Sequence, residues 1–398
     1  MLRTLFIIGC LAYSTVYASN EAQTESIQLA RQGVDALSRL QFDQSAATFT
    51  QLQKQAPDFV FGHFLSASVD WIRAEAEQNR SKEKRAWAQT ADKLQNVIEL
   101  AEEQLQRQPG HPQWQLTLGT AQFFLARVYA EQKHYIDTYF MARKSRDTLR
   151  QLIAKQPDLY DAYFALGTYE YIAGSVPRGV RWLAKLFDLD GNRQTGIAYL
   201  AKATAQAPVL APEAARMLLA AAALQPELIK QPCQYLSLSR ESLALYPQNP
   251  HFSGAYQMLH LNCGYPQRAL DENQRGRNSY LKHFPKMKHI LNITELFAHR
   301  SMGDLQRVKN MKPLFKKKNT AYWHLAMAQI YDLSDKRTLA RKHYHIIAYS
   351  GYEDEPDVLA NSSNEDWILD KVDLHLKEPF TRPAPYKPDP VSDLKLQR

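Results

Sequence analysis

The sequence predicts an all-α protein, a right-handed α-solenoid of stacked helical hairpins that covers residues 19–376. Long apolar-periodic segments end in similar tripeptides whose prolines, Pro57, Pro109, Pro157 and Pro208, are 52, 48 and 51 residues apart. Proline cannot continue a helix, so each one ends a helix near Ala56, Gln108, Gln156 or Ala207. Most windows are rich in helix-favouring residues, and only 15 of the 398 residues are Gly. A long, regular period of helical segments is typical of stacked repeats.

The N-terminal residues 1–18 have the pattern of a signal peptide. Arg3 supplies a positive charge, residues 5–16 form a short apolar core, and cleavage after the small residue Ala18 fits the pattern. The alternative is a lipoprotein modified at Cys10, but the apolar run before that cysteine is short for a signal core. We therefore expect an exported protein, located in the bacterial periplasm.

Two cysteines remain after such a cleavage, Cys233 and Cys263. In an exported protein they could form one disulfide bond. Both lie in apolar segments with helical spacing, however, where a free cysteine often serves as a small buried residue. The sequence leaves both alternatives open.

The first predicted hairpin, residues 25–56, places small residues where its two helices cross. Gly33 belongs to its first helix, and Ser45 and Phe49 belong to its second, so that small residues allow close approach and an aromatic ring fills the next gap. The remaining positions of the pattern are Leu37, Leu40, Phe42, Leu52 and Pro57. This hairpin resembles a tetratricopeptide repeat, whose spacing these residues match.

Further hairpins follow from the same periodicity. We expect helices at 59–78 and 82–108, a third pair within 111–157 and a fourth that begins at Asp158. After Pro208 the predicted pairs are shorter, at 211–224 with 233–245, 252–262 with 266–283, 286–300 with 304–315, and 321–333 with 336–349. A helix at 367–376 would cap the array, and the Pro-rich residues 377–398 would form an extended, largely unpacked tail.

The fourth unit is longer than a plain hairpin, because about twenty residues intervene before its second helix resumes at Ile197. The residues that define this unit are Gly167, Tyr169, Tyr171, Pro177, Leu183, Gly191, Arg193, Gly196, Leu200 and Ala203. Across residues 157–260 the chain resembles irregular tetratricopeptide proteins that include the eukaryotic inclusion-body clearance group and bacterial relatives. The resemblance implies an extra amphipathic helix near 176–187 and a helical scaffold without catalysis. The family's Gly-Asp order is replaced here by Asp190, Gly191 and Asn192.

No motif in the chain predicts a metal, a cofactor or a catalytic centre. The acidic residues at 188–192 do not fit a calcium loop, because Gly191 is misplaced and Tyr199 holds the twelfth position. We expect Asp190 to cap the helix that follows. His343 and His345 are two residues apart, which places them on different helix faces and disfavours a shared metal. An enzyme with a site in the concave groove is the most distant alternative.

Positive charge is concentrated in residues 275–318. This segment has twelve Lys or Arg and two acidic residues, a net charge of +10, whereas the whole chain has +8. The segment is either a solvated face or a patch for an acidic protein, an anionic lipid or an anionic glycan. Its expected contact residues are Lys312, Lys316, Lys317 and Lys318. Nucleic acid is not an expected partner of an exported protein.

The inner surface of the array offers a second expected binding region. Thr120, Phe123, Thr168 and Tyr171 occupy the offsets that face this surface in tetratricopeptide arrays. Most aromatic residues at helical spacing belong to the core, but tyrosine also suits a groove that binds peptides. The sequence therefore predicts an exported repeat scaffold that binds a protein or peptide partner in the cell envelope.

Overall fold

The computed structural model describes residues 24–77, 79–175, 191–226, 229, 231–281, 284–315, 320–349 and 362–384. Within these residues all regular elements are helices and no strand occurs, which confirms the all-α prediction. The predicted signal peptide at 1–18, the predicted inserted helix at 176–187 and the last part of the tail, 385–398, lie outside the described residues.

The described helices follow one another with short connections. They are α1 (24–38), α2 (Phe42–Gln55), α3 (Phe61–Ala76), α4 (Arg80–Arg107), α5 (Pro112–Glu131), α6 (Tyr135–Lys155), α7 (Ala162–Gly174), α8 (Arg193–Gln206), α9 (Ala211–Leu224), α10 (Leu236–Leu245), α11 (Pro250–Asn262), α12 (Pro266–Ser279), α13 (Lys288–Met302), α14 (Leu305–Asn310), α15 (Thr320–Asp332), α16 (Arg337–Tyr349) and α17 (Ser362–Lys377). Short 3-10 turns occur at Pro232–Tyr235, Pro285–Met287 and Lys312–Leu314.

The proline stops act where the sequence predicts them. Helices α2, α4, α6 and α8 each end one residue before the expected position, and every one of these ends lies two residues before a proline. The residue before a proline is restricted to extended conformations, so the helix has to end at or before it. The predicted helix ends are confirmed.

Two predicted details are wrong. The segment 304–315 was expected to be one helix, but α14 ends at Asn310 and a 3-10 turn containing Pro313 follows, because a proline inside a helix removes a backbone hydrogen bond. The cap of α8 is Asn192, whose side-chain oxygen accepts from the Thr195 N–H at 3.0 Å, and α8 begins four residues before the predicted Ile197. Asp190, the expected cap, lies outside the described residues.

The chain divides into two compact units, residues 1–166 with 202–213 and residues 167–201 with 214–398. In the first unit α2 packs on α3, α3 on α4, α4 on α5 and α5 on α6. In the second unit the same order runs from α10 through α13, and then from α15 through α17. Packing between neighbours in sequence is what a stack of helical hairpins requires.

Helix pairs of the first unit cross closely at a glycine. The Ser45 hydroxyl on α2 donates to the Gly33 carbonyl at 2.8 Å, and a Cβ atom on Gly33 would overlap the Phe49 ring. The same arrangement recurs at the α5–α6 crossing, where the Ser145 hydroxyl donates to the carbonyl of Gly119 at 2.7 Å. A Cβ atom on Gly119 would lie 2.6 Å from Leu149 Cγ. A glycine, a serine and a large residue four positions later thus form a repeated crossing.

The second unit contains a related crossing with glycine on both helices. A Cβ atom on Gly196 of α8 would lie 2.5 Å from the backbone nitrogen of Tyr171, and one on Gly167 of α7 would lie 3.0 Å from the Leu200 nitrogen. Leu200 follows Gly196 by four positions, as Phe49 follows Ser45. Here the two backbones themselves are in contact, which only glycine permits.

A buried carboxylate connects two successive turns of the first unit. Asp161, just before α7, accepts from the backbone N–H groups of Val209 and Leu210 at 3.1 and 2.7 Å, directly before α9. Burial raises the pKa of Asp161 to about 6, although these two hydrogen bonds favour the charged form. These two hydrogen bonds connect the proline turn after α6 to the proline turn after α8.

Cys233 and Cys263 form a disulfide bond in the second unit, which decides between the two alternatives. Their Cα atoms are 5.8 Å apart, and the bond joins the 3-10 turn before α10 to the residue that follows α11. The bond closes a loop with a sequence separation of 30. A loop of this length constrains the unfolded chain and stabilises the fold by ~3–4 kcal/mol.

The beginning of the tail is packed, contrary to the expectation that residues after 376 are largely unpacked. The buried Asp332 carboxylate accepts from the Tyr344 hydroxyl and from the Phe380 N–H, both at 2.9 Å. The Arg300 guanidinium lies 4.7 Å from the Phe380 ring, and burial lowers the pKa of Arg300 to about 10. The aromatic residue and the backbone donor hold the chain after α17 against α13 and α15.

We expect Gly119→Ala to destabilise the protein by about 1–3 kcal/mol, because the added methyl group would overlap Leu149. Gly254→Ala is the matched control, since its Cβ atom would meet only Ile290 Cγ2 at 3.7 Å. Alanine is the better helix former, so this control should be neutral or more stable by up to about 1 kcal/mol. Urea unfolding followed by circular dichroism measures both, and equal effects of the two substitutions would contradict the close crossing.

We expect the double substitution Cys233→Ser and Cys263→Ser to lower the free energy of unfolding by about 3 kcal/mol in the second unit. Reduction of the wild-type protein should have the same effect, and it should have none on the double variant. The measurement is urea unfolding with and without a reducing agent. A wild-type protein that is insensitive to the reducing agent would show that the bond is not formed.

Candidate functional site

The four residues expected to line an inner groove are mostly core residues. Thr120 and Phe123 lie on α5 in the first unit, and both are buried. Thr168 lies on α7 in the second unit and is also buried, whereas Tyr171 is half-buried. Buried side chains offer no area to a partner, so Thr120, Phe123 and Thr168 do not form a contact surface in this structure.

The basic segment carries less uncompensated positive charge than the count of its basic residues in the sequence indicates. Arg275 forms an ion pair with Glu272 at 2.5 Å, and Glu272 precedes the counted segment. Arg277 and Arg307 both pair with Glu295, at 2.8 and 2.9 Å. Two carboxylates thus compensate two of the three positive charges, because Arg277 and Arg307 share Glu295.

The lysines of this segment have different positions. Lys288, Lys309 and Lys312 are exposed, and the Lys312 ammonium lies 5.0 Å from the Trp323 ring. The three other expected contact residues, Lys316, Lys317 and Lys318, lie outside the described residues. An exposed basic surface thus remains among the described residues, and it is formed by these lysines together with Arg307, whose side chain is 55% exposed.

An apolar strip is exposed at the start of α6. Tyr135, Ile136 and Phe140 are 40%, 73% and 55% exposed, and Tyr139 lies beside Phe140 with ring centroids 5.0 Å apart. The two rows 135–139 and 136–140 have the four-residue spacing of one helix face. We call these four residues the α6 strip. Exposed large apolar side chains in contiguous groups are uncommon on monomeric proteins and mark interaction sites.

Charged groups border the α6 strip at its C-terminal end. The Arg143 guanidinium donates to the Tyr139 hydroxyl at 3.2 Å and lies 3.9 Å from the Asp147 carboxylate. Lys144 continues the row of Ile136 and Phe140, and it is exposed. The strip therefore has an apolar centre and two exposed positive groups at its end, of which Arg143 lies close to an acid.

A second notable cluster lies between α15 and α16. The Nδ1 atoms of His324 and His343 are 2.9 Å apart, so one imidazole donates to the other in the neutral pair. The Trp323 ring is 5.6 Å from the His343 ring, and the Tyr331 ring is also 5.6 Å from it. The Lys312 ammonium lies 5.0 Å from the centre of the Trp323 ring.

Electrostatics keep this histidine pair neutral. Burial lowers the pKa of His343 to about 4, and the charges of His324, Lys342 and Lys312 act in the same direction. Burial and the Lys312 charge also lower the pKa of His324. The neutral form of the pair is therefore favoured at neutral pH.

Sequence reasoning missed both clusters for identifiable reasons. The histidine pair joins two helices that are neighbours in space, and the closest sequence pair, His343 and His345, points to different faces of α16. The α6 strip was expected to be part of the core, because helical spacing of aromatic residues does not show which face is covered. The signal in the sequence was that positions 135, 136, 139 and 140, which share one side of the helix, hold no charged residue.

Within the described ranges, no group of three or more His, Cys, Asp or Glu residues is arranged to hold a metal ion. Among the described helices, none combines the length and the apolar content that crossing a membrane requires.

We expect the stability of the protein to fall as the pH decreases from about 6.5 towards 4, in part because of His343. Its pKa is lower in the folded than in the unfolded state, so the unfolded chain binds the proton first and the contribution is fully retained above about pH 6.5. His343→Gln should make this pH dependence shallower, whereas the exposed His134→Gln should not. Urea unfolding at several pH values measures the effect, and identical pH profiles of wild type and His343→Gln would refute it.

The comparisons with known proteins give no independent guide to the site. No protein-family model matches the chain, and no curated protein matches it significantly. The geometry of the α6 strip and of the second unit's basic surface is therefore the basis for a functional conclusion.

Proposed function

We propose that this chain is an exported scaffold, a right-handed solenoid of tetratricopeptide-like hairpins, that binds a protein partner in the bacterial cell envelope and does not catalyse a reaction. The glycine crossings of both units support the hairpin architecture. The bond between Cys233 and Cys263 supports export, because disulfides persist in oxidising compartments such as the periplasm. The signal-like pattern of residues 1–18 agrees with this location.

The observation that carries the binding role is the exposed α6 strip. Ile136 is 73% exposed and Phe140 is 55% exposed. These side chains therefore lack the stabilising free energy that burial gives to similar side chains elsewhere in the chain. Burial of one large apolar side chain contributes about 1.5–3 kcal/mol. A surface that retains several of them is suited to a partner that covers them.

The partner that fits the α6 strip best is an amphipathic helix. The strip consists of two short rows with four-residue spacing, which is the geometry that helices present to each other when they pack. Lys144 at the end of one row favours an acidic residue beside the partner's apolar face. We therefore propose a helical segment of another envelope protein with apolar residues three or four apart and an adjacent acid.

We expect Ile136→Asp to weaken binding of this partner at least tenfold, because it places a charge in the centre of the contact, and tenfold corresponds to only about 1.4 kcal/mol. A photo-crosslinker at position 140, used in the native envelope, should capture one helical segment in the wild type and lose it in the Ile136→Asp variant. Leu339→Asp is the matched control, because Leu339 is an exposed apolar residue of the second unit. Crosslinks to lipid alone, or equal crosslinking in all variants, would contradict the proposal.

A second candidate function is docking on an anionic lipid or glycan through the exposed lysines Lys288, Lys309 and Lys312. The expected contact residues Lys316, Lys317 and Lys318 belong to the same basic segment. Charge attraction to such a surface weakens steeply with salt, since the screening length is about 8 Å at physiological ionic strength. Replacing Lys316, Lys317 and Lys318 by Glu should weaken binding to anionic vesicles at low salt and leave the melting temperature unchanged. Vesicle binding that resists both this replacement and high salt would count against this candidate.

A further inference from the structure

The cluster of His324, His343, Lys312 and Lys342 contains four basic groups contributed by three elements. Lys312 comes from the 3-10 turn after α14, His324 from α15, and His343 and Lys342 from α16. The imidazoles face each other at 2.9 Å between their Nδ1 atoms, and both are half-buried. Each of the two side chains is therefore partly exposed to solvent.

In the described part of the chain, none of the charged groups that act on this cluster is an acid that could compensate its positive charge. The charges that influence His343 are His324, Lys342 and Lys312, and for His324 the influencing charge is Lys312. The aromatic rings beside the pair, Trp323 and Tyr331, carry no charge at neutral pH. Elsewhere in the second unit the clustered basic residues do have acids, as with Arg277 and Glu295. Within the described residues, the positive charge of the cluster is therefore not compensated.

We propose that this cluster is a binding site for a small doubly charged oxyanion of the sulfate or phosphate type, which binds together with protons. When both imidazoles are protonated, each Nδ1 carries a hydrogen and the bond between the two atoms is lost. An oxyanion supplies the acceptors that the two N–H groups and the Lys312 ammonium then need. No covalent bond forms, and the protons come from solvent.

The same geometry disfavours a transition metal. Two imidazoles supply only half of a four-coordinate shell, and structural or catalytic zinc sites use at least three protein ligands. The nearby ammonium groups of Lys312 and Lys342 repel a cation, whereas they attract an anion. The site does not involve the α6 strip, and it uses one lysine of the second candidate surface, so its failure leaves both of those functions standing.

The test is calorimetric titration of the full chain with sulfate at constant ionic strength. Sulfate keeps its double charge between about pH 5.5 and 8, so any pH dependence belongs to the protein. We expect binding at least tenfold tighter at the lower pH, and nitrogen chemical shifts of both imidazoles should change to those of the protonated form on addition of sulfate. Lys312→Gln and His343→Gln should each weaken binding at least tenfold.

The matched control is Lys336→Gln, an exposed lysine of the same unit outside the cluster, which should bind sulfate as the wild type does. Circular dichroism confirms that each variant is folded before titration. Sulfate affinity that is equal at both pH values, or equal in Lys312→Gln and Lys336→Gln, would overturn the proposal. Tight binding of Zn²⁺ or Ni²⁺ that depends on His324 and His343, with no binding of sulfate, would also overturn it and identify a metal site.

Discussion

Three helix pairs of this protein, α1 with α2, α5 with α6 and α7 with α8, approach each other closely because one helix offers a glycine and its partner offers a serine hydroxyl or a second glycine. At Gly33 and Gly119 the hydroxyl donates to the glycine carbonyl, and a large side chain four residues later fills the space beyond the crossing. This combination fixes the distance and the rotation of each pair. The remaining packing, including the buried Asp161 contact between proline turns, depends on that alignment.

The sequence was sufficient for the all-α class and for the helix ends because the signals that define them are local. A proline ends a helix by the chemistry of its own ring, so the ends of α2, α4, α6 and α8 could be placed within one residue. The candidate sites depend instead on contacts between distant residues, such as His324 with His343 or Arg275 with Glu272. Spacing along one helix cannot show which face a neighbouring helix covers. For this reason the buried Thr120 was expected at a surface and the exposed Ile136 was not noticed.

The two units differ in the residues that distinguish their surfaces. In the second unit Arg275, Arg277 and Arg307 pair with acids, while the charges that act on His343 among the described residues are all positive. In the first unit the notable exposed feature is apolar, and it lies where α6 begins. The proposed helical partner and the proposed anion would therefore contact different residues of the chain. The disulfide between Cys233 and Cys263 stabilises the second unit without occupying either surface.

The central claim is that the α6 strip is the surface that a partner covers. Hydroxyl-radical footprinting tests this most directly, since it reports the solvent exposure of Tyr135, Tyr139 and Phe140 side by side. It should be applied to the purified chain and to the chain in isolated envelopes. We expect strong protection of these three rings in the envelopes, with no change at the buried Phe49. Equal oxidation of the strip in both preparations would contradict the account.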